Sequence, residues 1–331
     1  MNDAGGPGPG ARAPAARAPA AVRLSLLERL TPYVAYAALA GLIAIFGALA
    51  PGLFLTANNS EVILQNSAVQ CVVAIGMTFV IIIGSIDLSV GSGMALVGML
   101  AAMASTLVGG FAFFLTPFLG ALIGLVNGVL FVYGGVPSFV VTLGMLSVAR
   151  GLTIIISGGF PVSLPPTGFF ASVGNAPWPF VIVVGLALAA SFVLLKTAFG
   201  RYVLAVGGDE EKARMLGLPV NRVKVAVFTL SGALAGLGGG ILAAEVGAGT
   251  PTMGTGFELT AISAVVIGGT SLTGGSGSIL GTIVGSLVMS TLANGMIILG
   301  ISTNVQIVMT GAVLVGAVML SIQRGKIRIM K

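Results

Sequence analysis

Few side chains in this sequence are equipped for chemistry. Asp87 stands in GSIDLSVGS (84–92), between Gly84 and Gly91, and Arg150 lies inside the apolar stretch PSFVVTLGMLSVARGL (137–152). Glu245 and Glu258 bracket a segment rich in Gly, Thr and Pro. An acid just before a helix is favoured by the helix dipole, so Asp87 reads as a cap assisted by Ser85 or Ser89, or as a carboxylate solvated at the cytosolic edge. The competing reading is a gating or partner contact. An ionisable side chain within a membrane-length apolar run is a functional candidate by default, which applies to Arg150. Its alternatives are a bond to a backbone carbonyl, or snorkelling to the interface. Glu245 and Glu258 read as outer loop acids or as contacts for an outside partner.

Enzymatic chemistry finds little support. The chain has one cysteine, Cys71, and no histidine. No intrachain disulfide, His/Cys metal site or Cys–His nucleophilic pair can be assembled from that inventory. There is also no G-x-x-x-x-G-K-[ST] phosphate loop, so any ATP used is bound by another chain. Neither a catalytic group nor a cofactor is expected.

The remaining charge is concentrated in KTAFGRYVLAVGGDEEKARMLGLPVNRVK (196–224), in a chain of which only 7% is charged. Charges at the bilayer centre cost at least about 2.5–3.5 kcal/mol each, so this segment is read as an aqueous loop. Within it, DEEKARML (209–216) carries strong helix formers, with Asp209, Glu210 and Glu211 leading and Lys212 and Arg214 following. Gly207 and Gly208 precede the segment; Gly217 and Pro219 end it. One short helix is expected there, offering Ala213, Leu216 and to a lesser degree Met215 as an apolar patch for a groove on another protein.

The elements that must carry these residues are membrane helices. The chain is 56% hydrophobic, and 51 of its 331 residues are Gly. Long runs that are apolar all round exclude the alternating pattern of a β-barrel, and small residues at this density suit close helix contact in lipid. The expected fold is all-α, a polytopic helical membrane protein of about ten spans at about 20 residues each. The runs are 33–50, 62–83, 88–108, 111–133, 137–157, 177–195, 225–246, 258–273, 278–299 and 303–322. The eighth is short and glycine-rich, which suits a broken or re-entrant segment. Residues 1–32 are expected to be a disordered cytosolic tail, 33–322 the transmembrane domain, and 323–331 a cytosolic basic tail. The Arg12/Arg17/Arg23/Arg29, 196–224 and Arg324/Lys326/Arg328/Lys331 clusters all fall on one side under this count, so both termini are expected inside. The net charge of +6 thus sits at span ends and in the tail, and marks no nucleic-acid surface.

Glycines recur every four residues at 120/124/128, 232/236/240 and 277/281/285, the spacing of close helix packing. IGSIDLSVGSG (83–93) also matches IGGTSLTGGSG (267–277) at Ile, Gly, Leu, Gly, Ser and Gly, and LGALIG (119–124) is similar to LGTIVG (280–285). An internal duplication and chance in a Gly/Ser/Leu-rich chain both account for these matches.

The strings GDEEKARMLGLPVNRVKVAVFTLSGALAGLGG and PTMGTGFELTAISAVVIGGTSLTGGSGSILGTIVG, Asn294-Gly295, GSIDLSVGS and PSFVVTLGMLSVARGL resemble the ribose/xylose/galactose-type permease subunits of bacterial ABC importers. The resemblance covers about residues 33–320. It implies a pathway formed by two permeases, driven by cytosolic ATPase subunits and supplied by a periplasmic sugar-binding protein. It further implies an inner-membrane location and a coupling helix that docks on the ATPase, matched here by Gly207, Gly208, Asp209, Glu210, Ala213, Arg214, Leu216 and Gly217. Family members often have Asn where this chain has Asp209. Asp87, Arg150, Glu258 and Asn294 are the candidates for gating or the pathway. The rival reading is an ion-coupled secondary transporter or channel, which calls for acids within the membrane rather than at span ends.

Overall fold

The computed structural model describes the backbone of residues 33–329 and the side chains of residues 33–319. The tail expected at 1–32 lies outside the described residues, as do residues 330–331 of the C-terminal one. In chain order the helices are α1 (Val34–Leu49), α2 (Pro51–Phe54), α3 (Ala57–Ile82), α4 (Val90–Val108), α5 (Ala112–Val132), α6 (Ser138–Ser157) and α7 (Phe169–Val173). They continue with α8 (Trp178–Lys196), α9 (Ala198–Gly208), α10 (Glu210–Met215), α11 (Val220–Val246), α12 (Phe257–Ile267), α13 (Ile279–Ile298) and α14 (Thr303–Ile329). The only strands among the described residues, β1 (Val162–Ser163) and β2 (Ala248–Gly249), pair antiparallel and tie the segment after α6 to the end of α11.

Every one of the ten apolar runs contains a helix, as a chain in hydrocarbon requires if its backbone groups are to be satisfied internally. Six stretches are long and apolar enough to cross a membrane; one of them, the 43-residue Val90–Val132, holds both α4 and α5. Val34–Leu49, Phe257–Ile267 and Thr303–Met319 are shorter apolar helices. At 11 residues, α12 reaches only about 16 Å, half the hydrocarbon thickness.

The centre of the bundle is α3 and α11. Every α3 residue from Ser67 to Ile82 is buried. α11 packs most extensively on α5, and also on α3 and α4. Glycine makes the α5–α11 crossing: a Cβ on Gly120 would strike the Gly232 carbonyl oxygen, and one on Gly236 the Thr116 carbonyl oxygen. Around this centre, α5, α6 and α8 expose Phe118, Leu122, Phe139, Val148, Leu188 and Phe192. Such a belt has no place in water and belongs against lipid.

Two breaks interrupt the bundle, at 83–89 between α3 and α4 and at 268–278 between α12 and α13. They coincide with the two matching sequence segments. The 196–224 segment differs from the expected loop. Lys196 closes α8, α9 and α10 fill most of the interval, and α11 begins at Val220, so Arg222 and Lys224 lie on its first turns. Phe199, Val203 and Val206 place apolar side chains on one face of α9, which explains why it folds against the bundle despite Arg201.

Candidate functional site

The first group of polar residues surrounds Asp87. Its carboxylate is 1% exposed, not solvated at an edge as the sequence suggested. Oδ1 accepts hydrogen bonds from the Ser89 backbone N–H (3.0 Å) and Ser89 Oγ (2.6 Å), while Oδ2 accepts from Ser231 Oγ on α11 (3.0 Å). Asn127 Nδ2 on α5 donates in turn to Ser89 Oγ (2.8 Å). Ser89 is the residue immediately before α4. Asp87 therefore holds the residue that begins α4 without bonding any amide of the helix's first turn, and it fastens the break to α11, because a buried carboxylate must have its lone pairs filled. Asn127 Oδ1 has no partner.

A second group meets the same end of α4. Arg150, half-buried on α6, donates through Nη1 to the carbonyl oxygens of Pro251 (2.6 Å) and Met253 (2.8 Å). That is the carbonyl-pairing alternative, across 101 residues of sequence. The 250–256 segment so held lies on the first turn of α4: a Cβ on Gly91 would collide with the Gly254 carbonyl and the Glu258 carboxylate. Arg150 and Glu258 attract one another across this contact. Asp87, Arg150 and Glu258 are thus brought to one place, the N-terminal turn of α4. Glu245, half-buried at the last turn of α11, and Asn294 are not part of it. Asn294 is buried on α13 beside Gly295, whose α-carbon abuts the Phe46 ring of α1, and its Oδ1 lacks a partner.

The third group is the hairpin of α9 and α10. Asp209 caps α10 by accepting from the Lys212 N–H (3.0 Å), and Gly217 ends the turn at φ +76°. The ion pairs among the described residues are Lys212–Asp209, Arg214–Glu210 and Lys224–Glu210. The hydrogen bond from Lys212 leads in holding the Asp209 carboxyl below its ordinary value. Burial alone would raise the Glu210 carboxyl, but the bonds from Lys224 and Arg214 outweigh it and the net direction is down.

Two residues of the hairpin are not the surface contacts that their sequence suggested. Ala213 is 3% exposed and packs into the main core, because a helix of six residues can hold its place only by burying one face. The apolar patch turned outward is Met215 and Leu216, 74% and 79% exposed. Gly207 faces inward: its α-hydrogen position meets the Ile82 carbonyl oxygen, where a Cβ would collide. That same carbonyl accepts the Gly275 N–H (2.8 Å). The end of α3, the second break and the end of α9 therefore converge on one oxygen. Gly208 is exposed with nothing near its Cβ position, and Glu210, Arg214 and Gly217 remain on the hairpin's outer parts.

Sequence reasoning offered Ser89 as a partner of Asp87 but missed Asn127 and Ser231, which complete the network. The usable signal was polarity within apolar runs, since an Asn in a span usually faces the bundle interior. It also missed the seam between α3 and α13, where Thr78 and Thr282 hydroxyls lie 2.7 Å apart and Ser290 Oγ donates to Gln70 Oε1 (2.9 Å).

A chain with broken helices, an inward network and one outward hairpin has the parts of a transport pathway rather than of an enzyme. The comparisons agree. The profile described as "Branched-chain amino acid transport system / permease component" matches residues 59–318. The chain belongs to this permease family. Among its relatives, the ribose import permease protein RbsC of Escherichia coli (strain K12) is 42% identical over 298 residues, covering 85% of this chain and 91% of the relative. The RbsC of Bacillus subtilis (strain 168) is 39% identical, covering 81% of this chain and 85% of the relative. The xylose transport system permease protein XylH of Escherichia coli (strain K12) is 34% identical, covering 86% and 90% respectively. No solved structure matches. The family description and these relatives name different solutes, so membership alone leaves the solute open. As a permease with several membrane-length apolar helices, the protein is a multi-pass membrane protein.

Proposed function

We propose that this chain is the membrane-spanning subunit of an ATP-driven importer, passing a monosaccharide of the ribose, allose or xylose kind across the bacterial inner membrane. The observation that carries the sugar assignment is the identity of 42%, 37% and 34% to ribose, allose and xylose permeases over most of the chain. The energy comes from separate ATPase subunits, since the sequence holds no phosphate loop. A periplasmic binding protein delivers the sugar, and a second permease copy completes the pathway. Both termini and the α9–α10 hairpin face the cytosol, a reading supported by the basic excess of the three clusters.

In this reading the hairpin is the coupling element. Met215 and Leu216 supply the apolar patch for a groove on the ATPase. Gly207 passes displacement of the hairpin to the Ile82 carbonyl and so to both breaks. The α4 N-terminus, held by Asp87 on one side and by Arg150 and Glu258 on the other, is the element that shifts between outward and inward states. Asn294 acts separately, at the α1–α13 contact.

The test is reconstitution in vesicles. Sugar accumulation is expected only with the ATPase subunits, ATP and the binding protein together. Leu216→Glu should enter the membrane at normal levels yet lose ATPase association and uptake. Accumulation by this chain alone, driven by a proton or sodium gradient, would instead establish ion-coupled secondary transport. Burial of Asp87 is the observation that favours that second reading, because intramembrane acids commonly bind the coupling ion. The orientation has its own check. In a Cys71→Ala background, Gly208→Cys should resist a membrane-impermeant thiol reagent in intact cells, and labelling there would reverse the topology.

A further inference from the structure

Beside the hairpin lies a cavity that the transport reading does not use. It is an open space of about 240 Å³ between α9 and the first turns of α11, lined by Phe199, Tyr202, Pro219, Arg222, Val223 and Ala226. Four of the six are hydrocarbon or aromatic carbon only. The polar atoms come from the Tyr202 hydroxyl and the Arg222 guanidinium, neither of which has a hydrogen-bond or ion-pair partner among the described residues. Arg222 is exposed at the mouth, while Val223 is buried. Arg222 is the one charged residue in the lining. Lys196 ends α8 and Arg201 lies on α9 beside the lining residues Phe199 and Tyr202, both exposed and outside the ion pairs; of the acids on the hairpin, Asp209 and Glu210 are engaged by Lys212, Arg214 and Lys224, and Glu211 is exposed on α10.

From this arrangement we infer that the cavity is a binding site for one anionic phospholipid of the cytosolic leaflet. Its phosphate sits on Arg222 and the Tyr202 hydroxyl, and one acyl chain lies along Phe199, Val223 and Ala226. Charge complementarity selects the sign of the headgroup, since basic pockets between membrane helices on the cytoplasmic side favour anionic lipid. The carbon lining selects a lipid over free phosphate, which would gain one arginine and leave the rest of the wall dry. Guanidinium suits the task because its planar fork presents several donors to phosphate oxygens. The placement in the cytosolic leaflet rests on the orientation proposed above. The lipid would brace α9 against α11, and hence the hairpin against the membrane surface.

The experiment is native mass spectrometry of the full chain in detergent, with phosphatidylglycerol, phosphatidylcholine of the same acyl chains, or inorganic phosphate. One retained phosphatidylglycerol is expected, with little phosphatidylcholine and no phosphate. Arg222→Gln should weaken retention about fivefold, the factor that one basic side chain contributes near an anionic surface. Ala226→Trp should fill the acyl groove and abolish retention, while Lys212→Gln, at a residue that does not line the cavity, should leave it unchanged. Equal retention of the two lipids, or wild-type retention by both Arg222→Gln and Ala226→Trp, would overturn the inference. So would release of the lipid when the ATPase subunit is added, which would assign the cavity to that interface. None of these readings depends on sugar uptake, so failure of the importer proposal would leave them separately interpretable.

Discussion

The two breaks in the bundle have similar sequences and opposite characters. In the first, Asp87 Oδ1 lies 2.6 Å from Ser89 Oγ; at the matching positions of the second, Ser271 Oγ lies 2.8 Å from Thr273 Oγ1. Each break thus carries a side-chain hydrogen bond across the same two-residue step, but only the second is closed by a backbone turn there, the Gly274 N–H donating to the Ser271 carbonyl oxygen (3.0 Å). In the rest the segments diverge. Asp87 and Ser89 are buried and fastened to α11 and α5, whereas Ser271 is half-buried, Thr273 is exposed, and they bond to one another. α4 begins directly after Ser89, but Gly274 and Gly275, both at positive φ, delay α13 to Ile279. The difference teaches that one copy has become an internal anchor and the other has stayed a surface turn against the hairpin. A charge fits only the copy that other helices surround with donors.

That contrast can be broken most directly at its centre. Asp87→Ala leaves the Ser89 and Ser231 hydroxyls without an acceptor, and is expected to cost about 3–5 kcal/mol with loss of uptake. Ser271→Ala should change stability by less than about 0.5 kcal/mol. Thermal unfolding of the two variants in detergent checks both, and equal effects would remove the distinction between anchor and surface turn.

A smaller effect is expected where both breaks meet the hairpin. Gly207→Val drives a side chain into the Ile82 carbonyl and is expected to cost about 1–3 kcal/mol. ATP hydrolysis by the assembled complex should then lose its dependence on sugar delivery. Gly208→Val, with open space at its Cβ, should behave as wild type. If the neighbouring pair gives the same ATPase response, Gly207 does not link the hairpin to the breaks.

The smallest effect concerns the hairpin by itself. Asp209 and Glu210 have carboxyls held below their ordinary values, so their contribution is complete above the unfolded carboxylate range of about 4. It is lost as pH falls through the lowered folded values. Limited proteolysis at 209–219 should therefore be slow at neutral pH and quicken only in strong acid. Quickening already at mildly acidic pH would mean that these pairs do not order α10.

The membrane helices were legible in the sequence because an apolar run of span length has few other ways to satisfy its backbone. The second break was legible too, from the paired glycines at 268–269 and 274–275, and the first as the interval between two apolar runs. The partners were not. Ser231 lies 144 residues from Asp87, and nothing local to either marks the pairing. Ala213 illustrates a different limit. A short helix of charged residues signals an exposed hairpin, yet which apolar side chain turns inward depends on how α10 rests on the core. Charge likewise hid α9, since Lys196 and Arg201 outweighed the spacing of Phe199, Val203 and Val206.

The crossing of α5 and α11 has a consequence for how this protein can change over generations. Gly120 and Gly124 face Gly232 and Gly236 with backbone against backbone. When a packed residue grows, a neighbour elsewhere usually restores the fit by shrinking. Here the neighbours are already glycine, and no smaller residue exists. A methyl on either side has no second-site remedy at the seam itself, so suppressors of such a variant should arise in the helices that flank the crossing.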